Sequence, residues 1–157
     1  MYTLDSYDIA ILRELQRDTA ISLDILSAKV SLSRNACWRR VQLLESAGVI
    51  LRRVALLDPK KLDAGLMAFI QVRAAKHSTD WARDFRLAVA SLPEIIGAYR
   101  TSGDVDYVLQ ARVPDVAAYD LVYQRLINKV DMNDVSASFV MEEIKATTEI
   151  PLIYTKA

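Results

Sequence analysis

The residues best placed to do chemistry lie between Ser22 and Ile50, and what they could do is grip a DNA duplex. Ser33, Arg34, Asn35, Trp38, Arg39, Arg40 and Gln42 bring hydroxyl, guanidinium, amide and indole groups onto one short segment. These are the groups that hold phosphates and read base edges in a major groove. At about 100° per residue, Asn35, Trp38, Arg39 and Gln42 share one face of a helix. Cys37, Val41 and Leu44 recur at i, i+4 and i+7 on the opposite face as a narrow apolar stripe. Ser33 and Arg34 fall in the first turn, where free backbone N–H groups and the helix dipole favour a phosphate. Arg40 flanks the stripe, from which it could reach a DNA backbone or brace the turn. Cys37 could sense thiols or oxidants, but its stripe position favours packing. Trp38 could stack on a sugar or thymine methyl, or pack on a neighbouring strand.

A second group of polar residues occupies Thr101-Ser102-Gly103-Asp104-Val105-Asp106-Tyr107. A free amino acid needs a carboxylate for its ammonium and backbone N–H groups for its own carboxylate. Asp104 and Asp106 could supply the first, and Gly103 would permit the close approach the second requires. Ser-Gly-Asp is also ordinary turn chemistry, which spacing alone favours. His77 falls in a loop and receives no role.

The elements needed to position the first group are legible. Ser22 and Ser33 stand as N-caps, Ile21 and Leu26 have the spacing of a hydrophobic staple, and Ser31-Leu32 make a turn. Gly48 offers a left-handed C-cap, and a strand is expected over 49–57. Upstream, Asp5 caps a helix with Asp8 at the capping-box position, and Leu4 and Ile9 form a staple; Ile9, Leu12 and Leu15 follow at helical spacing. This is the pattern of a winged helix-turn-helix, whose second helix enters the major groove. Pro59 in Asp58-Pro59-Lys60-Lys61 marks a boundary, giving domains of 1–61 and 62–157.

The second domain alternates between patterns of period two and period 3.6. Strands are expected over Leu66–Ala74, Ile95–Thr101, Val105–Val113 and Asp134–Ile144, with helices around Trp81–Leu92 and Val116–Val130. The order βαββαβ closes as a ferredoxin-like antiparallel sheet with both helices on one face, so the fold class is α+β. Its first strand is apolar on both sides, Ala68, Ile70 and Val72 against Met67 and Phe69. The face without helices therefore wants cover, and a second copy supplies it most simply, so a homodimer is expected.

Composition narrows the class. Lys+Arg and Asp+Glu both number 20, yet residues 1–60 hold nine basic and seven acidic side chains. A neutral chain with a local basic patch suits a site-specific DNA binder better than a general polyanion coat. One cysteine and one histidine argue against disulfides, metals and other cofactors. No apolar run approaches the ~20 residues of a membrane span, so no membrane partner and a cytoplasmic location are expected. No nucleophile–base pair, metal set or phosphate loop suggests an enzyme. An architectural DNA-binding protein of nucleoid type, with little control by ligand, remains the alternative.

In order along the chain, LDSYDIAILRELQRDTAIS, LSRNACWRRVQLLESAGVI, VALLDPKKL, TSGDVDYVLQARV and KATTEIPL resemble the Lrp/AsnC family of amino-acid-responsive transcription regulators. The CWRR and VALLDPKKL wording is similar to a subgroup that includes a cysteine-responsive regulator of cysteine detoxification. The chain departs at Asp63-Ala64-Gly65, where the family usually places Gly directly after its Leu, and at Asn35-Ala36, where the subgroup often has Pro. The resemblance implies a regulator of amino-acid metabolism that binds double-stranded DNA, with a small amino acid, cysteine among the candidates, at a subunit interface. It implies dimers that assemble to octamers. It also places the effector at Gly103, Asp104, Asp106 and Tyr107, with Ser136 and Ser138 contributed from the fourth strand.

Overall fold

The structure, a computed structural model, describes residues 2–155 and divides into two compact units. The first unit is built on three helices, α1 (Ser6–Arg17), α2 (Leu23–Lys29) and α3 (Arg34–Ser46). Each begins where a side-chain oxygen can accept an orphan N–H. Asp5 accepts from the Asp8 amide, Ser22 from Ile25 and Ser33 from Ala36. The Asp5–Asp8 capping box closes in both directions. Between α2 and α3 the backbone turns sharply through Ser31 at φ +56, and α3 stops at Gly48 with φ +71.

Ile11, Leu12, Leu15, Leu26, Val30, Cys37, Val41 and Leu44 form the core of this unit. Ile9, expected on the buried face of α1, is only half-buried, and Asp8 takes that place at 1 % exposure. Two further expectations change here. The strand foreseen over 49–57 does not form: the chain bends at 49–50 and has no regular secondary structure beyond it, with Leu51, Leu56 and Leu57 exposed. A strand exists only where a ladder satisfies its backbone, and among the described residues this segment has no ladder partner.

The boundary at 62–157 changes as well, because the tail from Lys145 onward belongs to the three-helix unit. The Gln16 side-chain amide donates to the Ile150 carbonyl (3.2 Å) and accepts from its N–H (2.6 Å). Arg17 lies 3.7 Å from Glu149, and Leu152 packs against the core.

The second unit spans Leu57–Ile144. A 3₁₀ turn at Pro59–Leu62 leads into β1 (Leu66–Ala74), α4 (Thr79–Ala90), β2 (Ile95–Arg100), β3 (Tyr107–Val113), α5 (Val116–Ile127) and β4 (Met132–Phe139). The sheet order is β2-β3-β1-β4 with every pairing antiparallel, the arrangement expected of βαββαβ. β4 ends five residues short of Ile144. Its ladder closes at Ala68↔Phe139 and the Val140 N–H to Met67 carbonyl bond, where β1 itself begins.

Ile70 and Val72 of β1 and Leu109, Ala111 and Val113 of β3 are buried with Phe85, Ala88, Leu92, Val122 and Leu126 in one core, and Ala68 is buried as well. The opposite face carries Met67, Phe69, Gln71, Tyr99, Gln110, Ser136 and Ser138, by the register Phe69↔Gln110, Phe69↔Ser138 and Gln71↔Ser136. Phe69 and Tyr99 are exposed there. No helix among the described residues is long and apolar enough to cross a membrane.

Candidate functional site

Helix α3 separates its two faces as its spacing requires. Cys37, Val41 and Leu44 are buried, while Ser33, Arg34, Asn35, Trp38, Arg39 and Gln42 are exposed. Trp38 keeps 54 % of its surface exposed. Burial raises the Cys37 thiol above its ordinary range and keeps it protonated, which fits a packing role.

The cations of this region do not stand alike. Arg34 pairs with Asp24 of α2 at 3.1 Å. Arg53 pairs with Glu45 at 2.9 Å, and Gln42 donates to the other oxygen of that carboxylate at 3.1 Å. Arg39 and Arg52 have no ion-pair partner among the described residues. Arg40 turns inward: its Nη1 lies 2.7 Å from Asp5 Oδ2 and 2.9 Å from Asp8 Oδ1. Its guanidinium also sits 5.3 Å from the Tyr7 ring centroid. Of the two roles open to Arg40 in the sequence, the contacts made are those of a brace. The Asp8 N–H donated to Asp5, with Arg40 alongside, holds the Asp5 carboxyl below the usual range. Exposed pairs such as Arg34–Asp24 contribute little to stability and can exchange for a phosphate, whereas Arg40 is half-buried.

The β2–β3 turn is held by Thr101, which donates its N–H to the Asp106 carbonyl (2.9 Å) and its hydroxyl to the Val105 carbonyl. Gly103 adopts φ +113, and an added Cβ would meet nothing within 4 Å. Glycine is therefore required by backbone conformation rather than by close approach within this chain. Asp104 is exposed. Asp106 is partly committed, because its Oδ2 accepts the Ala74 N–H at 2.8 Å and fastens the end of β1.

Gly103, Asp104 and Asp106 line a cleft of about 340 Å³ with Arg73, Ala74, His77 and Asn133. Arg73 and Asn133 were not singled out from the sequence, and His77 was given no role there. Arg73 was reachable through the alternation of β1, while Asn133 depends on the β1–β4 register shift beside Arg73. Tyr107 is not brought into this cleft. It packs on the helix side with Phe85 (4.5 Å between centroids) and Trp81 (5.7 Å). Ser136 and Ser138 lie on the opposite face of the sheet, on the edge strand β4. The six residues expected at one site are thus distributed over a turn, a core and an open face.

The pattern of an AsnC-type helix-turn-helix domain matches residues 4–45, and that of the Lrp/AsnC ligand binding domain matches residues 67–150. This chain belongs to the Lrp/AsnC family. A glutamate uptake regulatory protein of Zymomonas mobilis is 48 % identical over 149 residues, covering 95 % of this chain and 91 % of that protein. The crystal structure of an AsnC family transcriptional regulator from Agrobacterium tumefaciens superposes with a TM-score of 0.94 at 49 % identity, covering 98 % and 100 % of the two chains. A transcriptional regulator from Neisseria meningitidis, solved as a complex with L-Met, gives 0.92 at 38 % identity, covering 96 % and 98 %.

The Lrp/AsnC chain described here is accordingly a DNA-binding transcription regulator and not an enzyme. Membership explains why polar side chains are spent on an outward helix face. Catalysis would need them to converge on one reacting atom.

Proposed function

We propose that this Lrp/AsnC regulator binds specific sites in double-stranded DNA through α3 and controls genes of amino-acid metabolism. We also propose that a small amino acid at the Gly103 turn changes that binding. The observation that carries the first part is the outward face of α3. Asn35, Trp38, Arg39 and Gln42 are all exposed on an element whose reverse side is fixed in a core. Ser33 and Arg34 add phosphate contacts at its start.

For the effector, Asp104 and Arg73 line the same cleft and offer opposite charges, as the ammonium and carboxylate of a free amino acid require. Cysteine is one candidate. Tyr107 would act from the core as support, and Ser136 and Ser138 would act from a neighbouring subunit. A second copy covering the sheet face of Phe69 and Tyr99 would make the homodimer, four of which form an octamer, with the effector at a subunit interface biasing one arrangement of recognition helices.

The test has two parts. Duplexes are first selected from a random-sequence pool with the full-length protein. Their affinity and the protein's thermal midpoint are then measured with each of the twenty amino acids. A ligand at a hundred times its dissociation constant should stabilise by about 2.7 kcal/mol. Enrichment of a sequence whose affinity responds to one amino acid supports the proposal. Enrichment with no response to any favours the architectural alternative, and a monomer by light scattering argues against the dimer.

A further inference from the structure

From the partly buried charge network joining α1 to α3, we infer that Asp8 and Arg40 are positioning residues for DNA recognition. Together they set the roll of the recognition helix, and neither touches DNA. This rests on the proposed DNA-binding role of α3.

The geometry is unusually complete. Asp8, in the first turn of α1, is 1 % exposed, and charged side chains are seldom so buried unless paired. Both of its oxygens are used. Oδ1 accepts from Arg40 Nη1 at 2.9 Å; Oδ2 accepts from the Tyr2 hydroxyl at 3.0 Å and the Asp5 N–H at 3.2 Å. The same Arg40 nitrogen reaches Asp5 Oδ2 at 2.7 Å, and Tyr7 of α1 lies beside the guanidinium. The capping box that starts α1 is thereby also the receptor for a side chain of α3.

What this accomplishes follows from position around the helix. Two residues on from Trp38, Arg40 stands about 160° away from it. The outward face is therefore held from behind at two places, by the apolar stripe of Cys37, Val41 and Leu44 and by Arg40 at its flank. An apolar stripe is tolerant of small rotations because dispersion and burial are not directional. A hydrogen-bonded ion pair is directional. With side chains a helix is about 10–12 Å across, so a roll of about 10° moves a side-chain tip by about 1 Å. That displacement is enough to spoil a bidentate contact to a base edge. A buried ion pair is weak evidence of net stability, and fixing one arrangement among several is its best-attested use.

The experiment compares wild type with Arg40→Gln, Arg40→Lys and Asp8→Asn in the full-length protein. The probes are a duplex enriched from a random pool by the wild type and a scrambled duplex. Affinities are read against salt at a temperature where circular dichroism shows each variant folded; Arg40→Lys, which keeps the charge, serves if the neutral variants do not fold.

The expected result is a fall of about tenfold in preference for the enriched duplex, the size of one lost base contact, in both Arg40→Gln and Asp8→Asn. The salt slope should stay at its wild-type value, and a chain carrying both Arg40→Gln and Asp8→Asn should lose no more than either single variant. A slope reduced by about 0.9 in Arg40→Gln alone would make Arg40 a phosphate contact and overturn the inference. An unchanged preference with only a lower melting temperature would reduce the pair to scaffolding, which also overturns it. If the wild type enriches no sequence, the DNA-recognition reading itself fails.

Discussion

Helix α3 and the β2–β3 turn are both short segments rich in polar side chains, yet one presents a finished surface and the other does not. In α3 a single periodicity sorts Cys37, Val41 and Leu44 inward and Asn35, Trp38, Arg39 and Gln42 outward, because every side chain's direction follows from its place in the turn. In the Gly103 turn no periodicity exists. Asp106 is drawn into fastening β1, Tyr107 into the core, and Asp104 is left exposed. A helical surface can be complete within one chain, whereas a loop site takes its form from whatever packs beside it.

Leu44 separates the two faces of α3 most strongly. It is 0 % exposed, so Leu44→Ala should cost about 2–5 kcal/mol in denaturant unfolding. The adjacent Leu43→Ala, at a half-exposed site, should cost far less. Similar losses at both would mean that the two faces of α3 are not distinct.

Next in size is Arg39→Ala, expected to weaken binding to an enriched duplex about tenfold and to lower the salt slope by about 0.9. Unchanged binding in a titration at fixed salt would remove Arg39 from the recognition face. Asp104→Ala sharpens the other side. Melting should change by no more than about 0.5 kcal/mol, and binding to DNA without effector should persist. The response to the amino acid should disappear; a normal response in calorimetry would assign the effector elsewhere.

The smallest effect concerns pH. Because the Asp5 carboxyl is held below its usual range, its contribution to stability is present at neutral pH. That contribution is lost as the pH falls below about 4 and through the folded-state value. Asp5→Asn keeps a good cap yet should flatten that part of a plot of melting temperature against pH. An unchanged acid limb would show that the carboxylate's charge is immaterial.

Much of the architecture was legible without coordinates. Asp5, Ser22 and Ser33 act as the caps their positions announced, and β1 spans the same residues, Leu66–Ala74, that read as a strand in the sequence. Capping and periodicity are local, written within four or five residues. The segment 49–57 shows where that reasoning ends, since an apolar run becomes a strand only when another strand is alongside. The tail shows the same limit: Ile150 finds Gln16 across 134 residues of sequence. Of the residues lining the Gly103 cleft, Gly103, Asp104 and Asp106 were named from the sequence and Arg73 was reachable through strand alternation, while Asn133 depended on the β1–β4 register.

Arg39 and Arg40 state the division most plainly. Capping and periodicity alone place both on a short helix of the type that enters DNA, one on its outer face and one at its flank. Packing of α1 against α3 turns Arg40 inward to a buried Asp8 and leaves Arg39 exposed. The physical reason is distance along the chain. A helix face is set by neighbours three and four residues away, but the carboxylate that claims Arg40 lies 32 residues away and meets it only once α1 and α3 have packed.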